Sequence, residues 1–129
     1  MSGNVTKFTI SKGSDNTFTF TIKQNNSTLP LTIVPSDTFS AKLILLSDNS
    51  TSYTYTITTP IAGVGNGTSD AANGKITLTI PLADANVLVR DIGSKTDRYY
   101  LRPTYKLILD CVTQNNGNFI AKVAEVYVD

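Results

Sequence analysis

Apolar residues recur at every second position along most of this chain, and the clearest such run closes it. Tyr105, Leu107, Leu109 and Cys111 share one face, with Lys106, Ile108 and Asp110 on the other. After Gln114-Asn115-Asn116-Gly117-Asn118 a second run places Ile120, Ala124, Val126 and Val128 on one face. Lys122 interrupts that row, while Phe119, Ala121, Val123, Glu125 and Tyr127 take the opposite face. Period two marks a half-buried strand, and Asn-Gly between two such runs marks a hairpin. Residues 98–129 are therefore expected to form two long antiparallel strands. A hairpin alone is marginal in water, so the rest of the chain must cover it.

Upstream the same period returns in shorter pieces. Asn4 to Ile10 reads as a first strand, and Ser11 to Asn16 as a polar turn. Thr17 to Lys23 alternates cleanly, with Phe18, Phe20 and Ile22 opposed to threonines. The prolines at 30 and 35 confine Leu29–Pro35 to an edge or an extended connection. Thr38 to Leu46 and Thr51 to Thr59 are the next strands, joined by Ser47-Asp48-Asn49-Ser50. Residues 61–74 read as a loop, and Lys75 to Ile80 as a strand. From Pro81 to Val89 the pattern breaks, and Pro followed by Ala and Leu suits one or two helical turns. Arg90 to Arg98 reads as a polar connection.

About seven strands with one short helical turn predict an all-β fold, an Ig-like two-sheet antiparallel β-sandwich forming a single domain over 1–129. With one Cys and no Trp, the expectation concerns the architecture and not the antibody family. Charged residues are only 16%, against ~25% in an average domain, so Thr, Ser and Asn must carry the polar surface. A net charge of +1 without basic or acidic runs gives no footprint for nucleic acid or an anionic membrane. Met1-Ser2-Gly3-Asn4 does not read as a signal peptide, so synthesis in a cytoplasm is expected. Cys111 is expected to be a small buried hydrophobe.

No histidine occurs, which removes the commonest general base and the usual triads. Glu125 is the only glutamate, and the aspartates fall mainly where turns need them. No enzyme activity and no cofactor are expected. Gly63-Val64-Gly65-Asn66-Gly67 lacks the helix and the Lys-Ser/Thr pair of a phosphate loop. Asp48, Asn49 and Asp70 offer oxygen ligands but no calcium-loop series.

Contact with other proteins is the remaining chemistry. Asp97 to Pro103 concentrates charge and aromatic rings, and Arg and Tyr anchor interfaces. Arg98, Tyr99, Tyr100 and Arg102 are the first candidates. Val64 and Asn66 in the long loop follow, with Leu29 and Leu31 beside the prolines. A carbohydrate-binding or host-recognition module is the alternative, with Tyr53, Tyr55, Tyr99 and Tyr100 as the rings that would stack on sugars.

Several stretches resemble the small Ig-like domains of tailed-bacteriophage virion proteins, including the N-terminal domains of upper baseplate proteins. Ile10-Ser11-Lys12-Gly13-Ser14-Asp15-Asn16-Thr17-Phe18-Thr19-Phe20 resembles that family's Lys-Gly-Asp-Thr-Phe strand opening, with two extra residues. Gly74 to Ile80 followed by a short helical segment, Leu82 to Leu88, is similar too, as is the closing pair from Tyr105 to Leu109 and Ile120 to Val128. The resemblance implies a structural protein of the virion at baseplate, tail, neck or capsid surface. Its partners would be other phage virion proteins, in multiple copies within a symmetric assembly. It carries over no catalytic residues.

Overall fold

The computed structural model describes residues 6–58, 67–96 and 98–129. The protein is mostly β, and its strands fall largely where the alternating pattern places them. β1 is Thr6–Ile10, β2 Asn16–Thr21, β3 Thr38–Leu45 and β4 Thr51–Thr58. β5 is Gly67–Asp70, followed by a 3-10 turn over Ala71–Asn73, and β6 is Lys75–Ile80. A single helical turn, α1, spans Leu82–Ala85. β7 (Ile92–Lys95) and β8 (Arg98–Leu101) form a hairpin of their own, and β9 (Pro103–Thr113) and β10 (Gly117–Val128) close the chain.

Hydrogen bonding links eight of these strands in the order β1-β10-β9-β3-β4-β5-β6-β2. Most neighbours are antiparallel, but β1 runs parallel to β10, from Thr6↔Ala124 to Ile10↔Val128. β4 and β5 are also parallel, meeting at Thr58↔Gly67. The two ends of this ribbon approach each other through rings. Phe8 on β1 meets Phe18 and Phe20 on β2 edge-on, with centroids 5.1 and 5.3 Å apart.

The inward rows make one core, including Phe20, Phe39, Leu43, Ile57, Leu78 and Leu109. Burial of such side chains contributes about 1.5–3 kcal/mol each before chain entropy is subtracted. Cys111 is buried among them, and burial pushes its thiol up to about 12. At neutral pH it is a small apolar side chain, as expected.

Connections are fixed by named polar groups. Asp15 Oδ1 accepts the Leu82 N–H at 2.7 Å, which caps α1 from the β1–β2 turn. Asn86 Oδ1 accepts the Gly13 N–H at 2.8 Å on the same turn. Asp37 is buried and its two carboxylate oxygens accept the N–H groups of Val34 and Gln114. That carboxylate fastens the connection before β3 to the β9–β10 turn.

Four expectations are corrected, the first being the loop over 61–74, since β5 and the 3-10 turn occupy 67–73. Residues 98–113 are not one strand, because Arg102 interrupts it and donates its N–H to the Asp91 carbonyl. Pro103, which lacks an N–H, then begins β9, a place where strand proline is tolerated. The connection 90–98 holds β7 and is not merely polar chain. On β10 a bulge between Ile120 and Lys122 adds a residue and reverses the faces. Ile120 is therefore 57% exposed, while Phe119 packs against the core. Lys122 pairs with Leu109, and its ammonium lies 5.9 Å from the Phe20 ring centre.

Candidate interaction surface

β7 and β8 pair from Ile92↔Leu101 to Lys95↔Arg98. Alternation puts Ile92, Ser94, Tyr99 and Leu101 on one face and Gly93 and Tyr100 on the other. Gly93 has a steric reason to be glycine. A Cβ there would strike the end of the Tyr100 ring and the Arg102 guanidinium. Tyr100 thus lies across the hairpin backbone, with the Arg102 guanidinium beside its hydroxyl end. The Arg102 guanidinium carbon sits 5.4 Å from the ring centre, and Nη2 donates to the Tyr100 hydroxyl at 3.4 Å. Asp91 accepts from Arg102 Nη1 at 3.3 Å.

The opposite face is built differently. Tyr99 is 82% exposed, Ile92 is 43% exposed, and Leu101 is half-buried. At its foot Arg90 pairs with Asp129 at 3.4 Å, and the two border a shallow depression with Ile92 and the β8 residues Tyr99, Tyr100 and Leu101. The hairpin therefore offers a bare apolar face on a backbone braced from behind. Of the sequence candidates, Tyr100 and Arg102 are the brace, Tyr99 is the presented ring, and Arg98 is exposed at the turn.

Leu29 and Leu31 separate. The Gln24 N–H bonds the Leu29 carbonyl at 2.9 Å, and Lys23 bridges Pro30. This tight turn leaves Leu29 60% exposed. Leu31 is only 2% exposed, and its N–H donates to the Ile22 carbonyl at 2.8 Å. It belongs to the core and is withdrawn as a contact residue. The turn over 23–27 borders Phe119 to Ala121 near the start of β10, whereas Tyr99 borders Asp129 beyond its end. The two depressions therefore lie toward opposite ends of β10 and form separate surfaces. Val64 and Asn66 lie outside the described residues.

Tyr55, offered as a sugar-stacking ring, is only 9% exposed. It stacks on Tyr53 at 6.0 Å, and its hydroxyl is bound to Asp84. Tyr53 is half-buried. Asp48 accepts from the N–H and hydroxyl of Ser50, and Asp70 from the Asn73 amide. Among the described residues no three His, Cys, Asp or Glu side chains are grouped to hold a metal ion.

Sequence reasoning missed a second exposed surface. On the outer face of β3, β9 and β10, Val112, Ile120 and Val123 are 51%, 57% and 54% exposed. Val112 and Ile120 border a depression together with Lys42 and Asp110, which form a 3.3 Å ion pair. The signal was Lys122 inside an apolar row, which marks the bulge that turns Ile120 outward. A scan against protein-family models finds no match, and no curated protein matches the sequence.

Proposed function

We propose that this chain is a non-enzymatic structural protein of a bacteriophage particle, an Ig-like two-sheet sandwich that works by docking onto neighbouring virion proteins. Strand order supports the sandwich reading. β1-β10-β9-β3-β4 and β5-β6-β2 would be the two sheets, joined by the single β4–β5 bridge. Tyr105, at the start of β9, accepts the Val89 N–H on its hydroxyl at 2.9 Å. The bond ties the start of β9 to the segment after α1, across 16 residues rather than the few of an Ig-type tyrosine corner.

The observation that carries the docking reading is Tyr99. A tyrosine on a hairpin whose other face is stiffened by Tyr100 and Arg102 needs little backbone ordering on binding, and its ring has only two side-chain torsions to fix. Tyr is among the residues that dominate interface energies. Repetition in a symmetric particle multiplies a modest contact through effective concentration. The test is quantitative mass spectrometry of gradient-purified particles from cells carrying the gene. The chain is expected at a stoichiometry of several copies per particle. A chain abundant in the lysate but absent from particles overturns the proposal.

Carbohydrate binding is the second reading, and the exposed Tyr99 ring is the observation that favours it. Binding on a glycan array that disappears with Tyr99→Ala supports this reading over protein docking.

A further inference from the structure

On β9, Tyr105, Leu107, Leu109 and Cys111 enter the core, and Lys106, Ile108 and Asp110 between them are half-buried. By alternation Thr104 belongs with the second row, yet it is only 7% exposed. Its Oγ1 has no hydrogen-bond partner among the described residues. A buried hydroxyl left in that state costs stability unless another group satisfies it. The strand is also irregular here. Val126 of β10 faces Tyr105 and Tyr127 faces Pro103, so Thr104 is the extra residue of a bulge. Bulges re-aim side chains and recur beside functional sites.

Thr104 borders an open cavity of about 480 Å³, within the ~300–1,000 Å³ of small-ligand sites. Leu46 from the β3–β4 turn, Val89 from the segment after α1, and Pro103 supply apolar wall, while Arg90 and Asp91 supply charge. Asp91 already accepts from Arg102 Nη1 at 3.3 Å. Arg90 makes a 3.4 Å contact to Asp129 that is solvent-exposed at both ends and therefore weak. Its guanidinium has five N–H donors, enough for a second acceptor. Thr58 and Gly67, which flank the undescribed residues 59–66, lie level with Val112 at the other end of β9.

We propose that this cavity binds an aliphatic carboxylate, its chain against Leu46, Val89 and Pro103 and its carboxylate shared by the Arg90 guanidinium and the Thr104 hydroxyl. A turn about χ1 exchanges the methyl and hydroxyl of Thr104, which gives the unpartnered donor an acceptor. The planar fork of Arg suits a carboxylate better than a neutral oxygen. Such a group comes either as a free short-chain acid or as the last residue of a peptide chain. The inference stands on the cavity and does not rest on the virion reading.

An amide NMR titration of the whole chain with hexanoate tests the site. Hexanoate is expected to shift the amide signals of Leu46, Arg90 and Thr104 saturably. Hexanamide, the same chain without the charge, is expected to bind several-fold more weakly. Arg90→Gln and Thr104→Val are each expected to weaken hexanoate binding several-fold. Thr104→Val removes an unpartnered hydroxyl at nearly constant shape, so its unfolding midpoint is expected to match or exceed the parent's. Lost binding is then not lost folding. The tripeptide Gly-Gly-Leu separates the two sources. Binding tighter than hexanoate and abolished by C-terminal amidation identifies a chain terminus, whereas hexanoate binding with no response to the peptide identifies a free acid. Equal affinity for hexanoate and hexanamide overturns the proposal. So do hexanoate shifts that cluster elsewhere or never saturate, and so does unchanged binding by both variants.

Discussion

The Tyr55 hydroxyl donates a 2.8 Å hydrogen bond to Asp84 Oδ2. This contact ties the centre of β4 to α1, the one helical turn between β6 and β7. Neither residue was a core anchor on sequence grounds, since Tyr55 alternates with threonines and Asp84 follows Ala83. Tyr55→Phe keeps the ring but removes the donor to a half-buried carboxylate, and is expected to cost about 1.5 kcal/mol, the low end for a hydrogen bond to a charged group. Urea unfolding of the two proteins measures the difference.

The same pair sets an alkaline limit. Burial first, then the bond to Asp84, raises the Tyr55 phenol above its ordinary value of 10.0. The folded chain therefore keeps a proton that the unfolded chain releases, so stability is whole below about pH 10 and falls as pH rises beyond it. Cys111, pushed up to about 12, acts in the same direction from about pH 8.5 upward, where an unfolded thiol ionises. Unfolding midpoints measured from pH 7 to 11 are expected to decline at the alkaline end, and less steeply in Tyr55→Phe. In the native protein at pH 8, Cys111 is expected to react with a thiol reagent only after unfolding.

Leu29 and Leu31 are two residues apart and should respond in opposite ways. Leu31→Ala opens a cavity in the core and is expected to cost about 2–5 kcal/mol. Leu29→Ala, on an exposed turn, is expected to change stability by less than about 0.5 kcal/mol. Thermal unfolding of both variants separates the core position from the surface one.

Gly74 holds a φ of +70°, and a Cβ there would lie 2.5 Å from the Ile22 carbonyl oxygen and 2.7 Å from that of Leu31. Both obstacles are backbone, and Ile22 also donates its N–H to the Gly74 carbonyl. Gly74→Ala is therefore expected to lose at least about 2 kcal/mol, combining αL strain with a forced backbone shift. Gly93→Ala meets the ends of two side chains, the Tyr100 ring and the Arg102 guanidinium, rather than backbone. It should displace the ring and disturb the hairpin brace with little effect on global unfolding.

Alternation made most of the eight linked strands legible, because one face of each is buried and threonine marks the other. It failed where geometry departs from period two. The bulge after Ile120 shifted the first part of β10 by one residue and exchanged Phe119 with Ile120. The β7–β8 hairpin was invisible for another reason. Ile92-Gly93-Ser94-Lys95 has one large apolar residue, and Tyr99-Tyr100-Leu101 is apolar without alternating. Its turn includes Thr96 at φ 46°, a β-branched residue where Asn or Gly would have announced a turn. The candidate site was half legible. Its Arg and Tyr were named from composition, but which ring braces and which is presented depended on the pairing of Gly93 with Tyr100.

The proposed docking through the presented face of the hairpin is most directly examined by hydroxyl-radical footprinting of the chain, free and in purified phage particles. Tyr99 and Ile92 are expected to oxidise readily in the free protein and to be several-fold protected in the particle, with Leu29 as an internal comparison. Equal oxidation of Tyr99 in both states would contradict the account.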